Sequence, residues 1–159
     1  MAYYWRKVRR LEYWTEPYRG RCLRANCLSD MGTRGDEDSL SLWLIDDQTL
    51  PLVVAQLAKG WRSPQDIVYL KIPTECVSQL NVPLQQSDEH SPPQPLQGRH
   101  YNVQVGTAEK LVAFSKAAAT KSECDCMRKS QVRSSIQAAI SAGHCSADDF
   151  PDDLRAFIT

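Results

Sequence analysis

Four side chains of the kinds that bind zinc lie toward the C-terminal end of the sequence, in two closely spaced pairs. They are Cys124 and Cys126, followed by His144 and Cys145. Structural zinc sites usually separate paired ligands by about two to four residues, and neither pair has that spacing. A C-x-C pair directs both sulfurs to one face only where the segment is extended. We therefore interpret these residues as thiols and a histidine near a helix end, and we predict no metal and no other cofactor.

Polar side chains alternate along the segment that begins at His100. His100, Asn102 and Gln104 would share one face of a strand. If that face met the basic segment around Arg19 and Arg21, the row would line a cleft, and His100, Arg19 and Arg21 would be the candidate catalytic residues. The solvent-facing side of an edge strand has the same pattern. That second interpretation is favoured, because the sequence has no nucleophile, zinc-protease or phosphate-loop motif.

The order of the predicted elements resembles that of small ADP-ribosyltransferase-like domains. In those domains an early strand with an Arg or a His precedes a helix, and short strands surround a nicotinamide cleft. The segment Tyr18-Arg19-Gly20-Arg21 would stand at that early strand. The resemblance is one of layout, and it implies an enzyme that acts on a nucleotide or nucleic acid, with NAD as a substrate. No catalytic Glu and no aromatic-Ser strand motif can be assigned, so no residue role is carried over.

The N-terminal segment combines basic and aromatic residues. Its cations are Arg6, Lys7, Arg9 and Arg10, and five aromatic residues lie between positions 3 and 14. Cations can neutralise phosphates and aromatic rings can stack on bases, so the segment is a candidate surface for nucleic acid or for a partner protein. The alternative, which the formal net charge of zero favours, is an element with buried aromatics and solvated arginines.

Length and composition indicate an ordinary globular protein. The chain has 159 residues, of which 42% are hydrophobic and 24% charged, so we expect one domain over 1–159. No apolar run approaches the roughly 18 residues of a membrane span, and no signal-peptide core follows the N-terminal cations. We therefore expect a cytoplasmic protein with no membrane contact, in which the six cysteines are thiols rather than disulfides.

The clearest element pattern is strand, helix, strand in the first half of the sequence. Ser39–Ile45 alternates in hydrophobicity, Thr49 and Pro51 predict a capped helix start, and 67–72 forms a second strand. Two strands joined in this way would run parallel. Residues 3–14 fit a strand or a helix equally well.

The second half of the sequence is more helical. After a strand at 100–105 we predict a helix to about residue 120, a polar break over 121–127, a helix over 128–142 and a last element over 148–158. The fold class is therefore α/β or α+β. We expect a small mixed sheet of about four to six strands with helices packed on it and a helical C-terminal portion, with 121–159 as a candidate appendage.

The function that the sequence favours is that of a small accessory or protein-interaction protein without catalysis. The basic N-terminal end, the acidic end around 148–153 and the Pro-rich segment 85–98 are the features that folding explains least. We expect a protein partner. The alternatives are an enzyme acting on a nucleotide or nucleic acid, and a nucleic-acid-binding protein that uses the N-terminal cations.

Overall fold

The computed structural model describes residues 2–31, 39–87 and 92–159. The strands are Tyr3–Val8 (β1), Tyr18–Arg19 (β2), Cys22–Leu23 (β3), Ser39–Ile45 (β4), Ile67–Pro73 (β5), Leu84–Gln86 (β6), His100–Gln104 (β7) and Glu123–Met127 (β8). The helices are Leu11–Thr15 (α1), Ala25–Met31 (α2), Leu50–Ala58 (α3), Thr74–Gln79 (α4), Ala108–Lys121 (α5), Lys129–Ser141 (α6) and Asp152–Ile158 (α7). Short 3-10 turns lie at Gln94–Leu96 and Ala147–Asp149.

Six of the strands form one sheet in the order β6-β7-β4-β1-β5-β8. Every neighbouring pair is antiparallel. Since β1 is antiparallel to both β4 and β5, those two strands run parallel to each other, as the strand–helix–strand pattern predicts. They are not neighbours, however, because β1 lies between them. The predicted fold class is confirmed, with a sheet that is antiparallel throughout.

The central strand β1 resolves the ambiguity of the N-terminal segment. Tyr4 and Val8 are buried on one side of the sheet and Trp5 on the other, as alternation in a strand requires. The helical alternative is wrong for residues 3–8, and Leu11, which that alternative would bury, is 36% exposed. A strand covered on both faces buries its aromatic residues on both sides, which explains why this segment shows no clean alternation between apolar and polar residues.

The sheet separates two hydrophobic cores, which gives the molecule three layers. We call one the α3 side, where α3, α6 and α7 pack on Trp5, Trp43 and Tyr69. The opposite layer, the α5 side, holds residues from α1, α2, α4 and α5 against Tyr4 and Leu42. The C-terminal helices therefore share their core with α3.

Two local predictions need correction. The polar break predicted at 121–127 contains β8, which pairs with β5 along its whole length. Backbone hydrogen bonds to a neighbour outweigh the low strand propensity of a polar edge segment. Thr49 does not cap the start of α3 in the way that the sequence predicts. Instead, the Asp46 carboxylate accepts a hydrogen bond from the Thr49 N–H at 2.9 Å, and the Thr49 side chain accepts one from the Asp46 N–H at 3.0 Å.

The Pro-rich segment 85–98 is not one continuous loop. It begins inside β6, and its later part forms the 3-10 turn at Gln94–Leu96, with Leu96 fully buried in the α3-side core. Residues 88–91 of this segment lie outside the described residues. None of the helices in the described ranges is long and apolar enough to cross a membrane.

Candidate functional site

His100 lies in β7 and is buried, with 4% of its surface exposed. Its ring packs against that of Trp43, with 4.6 Å between the ring centroids and 39° between the ring planes, and its Nε2 shares a hydrogen bond with the hydroxyl of Ser41. The prediction that His100 heads a solvent-facing row on an edge strand is therefore wrong. The physical reason is that β6 occupies the edge beside β7 and Trp43 covers the imidazole.

Ser41 joins this group through strand register. Ser41 is exposed, and its Cα partner on β7 is Asn102, so Ser41, His100 and Asn102 share the α3 side of the sheet. Gln104 extends the same face and donates to Gln85 of β6 at 3.3 Å. Sequence reasoning missed Ser41. The available signal was a serine placed between Leu40 and Leu42, on the polar side of an alternating strand.

Arg19 and Arg21 lie away from His100. They flank Gly20 in the turn of the β2–β3 hairpin and are exposed. The neighbouring Tyr18 hydroxyl lies 3.2 Å from Thr120 Oγ1 of α5, which places the hairpin on the α5 side. The sheet separates this side from the face that carries His100, so the structure does not bring the three candidate catalytic residues together.

The N-terminal cations do not form one surface patch. Arg6 and Lys7 point to opposite sides of β1, as alternate residues in a strand do. The Arg6 guanidinium donates to the backbone oxygens of Asp30 and Ser41, at 2.8 and 2.9 Å, and Lys7 Nζ lies 5.1 Å from the centre of the Trp61 ring.

Arg9 and Arg10 also make local contacts. Arg9 Nε is 3.4 Å from Asp30 Oδ1, and Arg10 Nη1 is 3.2 Å from Glu12 Oε1. Trp5 and Trp14 are buried, so these two rings are not presented for base stacking.

The carboxylates at the acidic end also form ion pairs within the protein. Asp149 pairs with Lys59, and Asp148 pairs with Arg155.

The four candidate zinc ligands are divided between the two sides of the sheet. Cys124 and Cys126 lie two residues apart on extended β8, and Cys124 packs against the α5-side core. Cys145 packs against the α3-side core, and His144 adjoins it in the chain. Burial, together with the neighbouring Asp125 carboxylate, raises the pKa of Cys124 to about 12, which disfavours the thiolate that a metal needs. Within the described ranges no three His, Cys, Asp or Glu side chains are grouped to hold a metal ion.

An open cleft of about 440 Å³ lies where β6 meets α4 on the α5 side. Leu84, the first residue of β6, is 40% exposed at its rim, and Val77 and Val82 supply buried apolar surface. The remaining lining residues are Tyr4, Thr74, Glu75, Ser78 and Asn81. Glu75 is the charged group of this lining. The cleft was not predicted from the sequence.

The fold defines the class of this protein as a three-layer α+β domain built on a six-stranded antiparallel sheet. Comparisons with protein-family models, with curated proteins and with solved structures each found no match. The structural features that bear on function are therefore the polar face around Ser41 and the cleft beside β6.

Proposed function

We propose that this protein is an interaction protein that holds an extended segment of a partner protein along the outer edge of β6, which pairs with no further strand in the described part of the chain. The observation that carries the proposal is that this edge is exposed, bears no charged side chain and adjoins an open cleft. Adding a strand to an exposed sheet edge is a recurrent way of binding peptides, with backbone hydrogen bonds giving affinity and side-chain pockets giving specificity.

The backbone of β6 has hydrogen-bonding groups to offer. Ser87 N–H donates to the His100 carbonyl and Gln104 N–H donates to the Pro83 carbonyl, both at 2.9 Å. Positions 83, 85 and 87 thus face β7. Because successive residues of an antiparallel strand face alternate sides, the N–H and C=O groups of Leu84 and Gln86 point away from the sheet.

The two edges of the sheet differ in how they are protected. Proteins commonly place charged side chains on edge strands, which discourages unwanted pairing with other chains. The β8 edge follows this practice with Glu123 and Asp125. The β6 edge carries Leu84, Gln85 and Gln86 instead. An edge without charges favours pairing with a strand from another chain.

The cleft specifies what the bound segment should look like. Alternate side chains of a segment paired with β6 would point to the α5 side, where Leu84, Val82 and Val77 offer apolar contact. Glu75 at the same cleft would attract a basic side chain. The segment that fits is therefore extended, carries apolar residues at alternate positions and includes a Lys or an Arg.

A peptide-binding experiment tests this proposal. Peptides would be selected from a random library displayed on phage, and their affinity would be measured by fluorescence anisotropy. Gln86→Pro removes an outward N–H while leaving the bonds to β7 in place, and Gln86→Ala is its matched control. We expect at least a tenfold loss of affinity for the proline variant, and little change for the alanine variant.

A second pair of variants tests the side-chain contribution. Leu84→Lys places a charge on the edge, and Leu11→Lys makes the same change at the other large exposed apolar residue of the described ranges. Only the first should weaken binding. The proposal fails if no peptide is selected, or if neither Gln86→Pro nor Leu84→Lys weakens binding. Self-association through β6, seen as a concentration-dependent dimer lost in Leu84→Lys, would identify a second copy as the occupant and would also overturn it.

A further inference from the structure

The hydrogen bond between Ser41 and His100 joins an exposed hydroxyl to a buried imidazole. Ser41 is exposed on β4, whereas only 4% of His100 is exposed. Either atom can be the donor in this contact, and in the tautomer that carries its proton on Nδ1 the Ser41 hydroxyl donates to His100 Nε2. A hydroxyl that donates to a neutral imidazole is the arrangement that activates a serine nucleophile.

Regular structure holds both partners in place. His100 and Trp43 are Cα partners on β7 and β4, and the Trp43 indole lies against the imidazole. Both strands are flanked by hydrogen-bonded neighbours on each side. Groups held by paired strands and packed rings keep their geometry better than groups on loops, which is what a reacting pair requires.

A third polar group adjoins the hydroxyl. Asn102 is the Cα partner of Ser41 and follows His100 by two residues, on the same face. Directly opposed residues of an antiparallel pair have Cβ atoms about 4.5–5.5 Å apart, so the Asn102 amide is within reach of a group bonded to Ser41 Oγ. Side-chain amides of this kind serve as oxyanion donors in acyl transfer.

We propose that Ser41, His100 and Asn102 form an acyl-transfer site for carboxylic esters. Ser41 Oγ bonds to the ester carbonyl carbon while its proton moves to His100 Nε2, and the carbonyl electron pair moves onto the oxygen that Asn102 stabilises. Collapse of this adduct breaks the bond to the alkoxy group, which leaves with the proton from His100. Water then releases the acyl group by the same steps, which yields the carboxylic acid and restores Ser41.

The inference rests on none of the observations behind the peptide-binding proposal. The reacting face lies on the α3 side of the sheet, whereas the cleft beside β6 lies on the α5 side. A simpler role for the contact is to provide a hydrogen bond for a buried imidazole. The two roles differ in their consequences, since only the first makes Ser41 reactive.

A fluorophosphonate probe tests the proposal, because it forms a covalent bond with activated serines and releases fluoride. The full-length folded protein would be treated with the probe, and the modified residue would be located by mass spectrometry of its peptides. We expect modification at Ser41, and none at Ser134, an exposed serine that bonds to the Ser130 carbonyl. Protein unfolded in urea should not be modified.

Variants distinguish an activated serine from an accessible one. Ser41→Ala should abolish modification, and His100→Gln should reduce it at least 100-fold. Asn102→Ala should slow it about 100-fold, as the loss of one oxyanion donor does. The proposal is overturned if wild-type Ser41 stays unmodified beside a reactive serine hydrolase, or if its rate of modification is unchanged in folded Asn102→Ala. If His100→Gln fails to fold, the wild-type and Asn102→Ala results decide the question.

Discussion

The Trp14 indole N–H donates to the carboxylate of Asp30 at 3.0 Å, where the Asp30 side chain is only 1% exposed. The same carboxylate lies 3.4 Å from Arg9 Nε, and the Asp30 backbone oxygen accepts from Arg6. This group joins the end of β1, the helix α1 and the helix α2. It gives the basic N-terminal segment a structural role.

Removal of the Asp30 carboxylate should destabilise the fold. Asp30→Ala leaves the buried Trp14 N–H without its acceptor, which costs about 1–3 kcal/mol in the free energy of unfolding. The Arg9 side chain is 69% exposed, so the loss of that ion pair adds little. Urea unfolding at neutral pH measures the change. Glu12→Ala, at an exposed ion pair, serves as the control and should shift stability by less than about 0.5 kcal/mol.

The start of α3 should make stability depend on acid pH. Hydrogen bonds from the Thr49 hydroxyl and backbone N–H lower the pKa of Asp46, and the nearby Arg99 guanidinium lowers it further. A carboxyl whose folded pKa lies below its unfolded value of about 3.9 stabilises the fold above that pH. The contribution is lost as the pH falls through the folded pKa.

The variant Asp46→Asn isolates this contribution. It should lower stability by about 0.5 kcal/mol at neutral pH, because it removes the negative charge that faces the start of α3 and the Arg99 guanidinium. The difference between the variant and the wild type should begin to shrink near pH 4 and should vanish once the pH is below the folded pKa of Asp46. Urea unfolding at a series of pH values measures both curves, and a difference between them that stays constant down to the lowest pH would contradict the assignment.

Helices α6 and α7 should be indispensable to the fold. They supply Val132, Ile136 and Leu154 to the core that contains Trp5, and β8 pairs with β5. A chain ending at Thr120 would expose this core, so we expect it to show no cooperative thermal unfolding by circular dichroism. A truncated chain that melts cooperatively would show that 121–159 is an independent appendage.

Much of the fold could be predicted from hydrophobic periodicity. The strand at Ser39–Ile45, the helix that follows it and the two amphipathic helices of the second half are all present near their predicted positions. Periodicity reports burial along one segment, and it does not report which strands become neighbours. The insertion of β1 between β4 and β5 was therefore not predicted, and β8 was missed because an edge strand has few buried residues.

The candidate sites depended on those missing pairings. His100 was selected for its residue type, but its partner Ser41 lies 59 positions earlier and is brought close by the register between β4 and β7. Arg19 and Arg21 were grouped with His100 on the assumption of a shared cleft, whereas the sheet separates them. Nothing in the short segment around Pro83 indicated that its strand would lie at the edge of the sheet.

Amide hydrogen exchange tests the peptide-binding account most directly, because it reports on individual backbone N–H groups. The rates for Leu84 and Gln86 would be measured by NMR, with and without a saturating amount of a peptide selected from the display library. We predict that both amides, which face away from β7, exchange at least tenfold more slowly when the peptide is bound. Unchanged exchange at these two amides, with protection appearing elsewhere, would contradict the account.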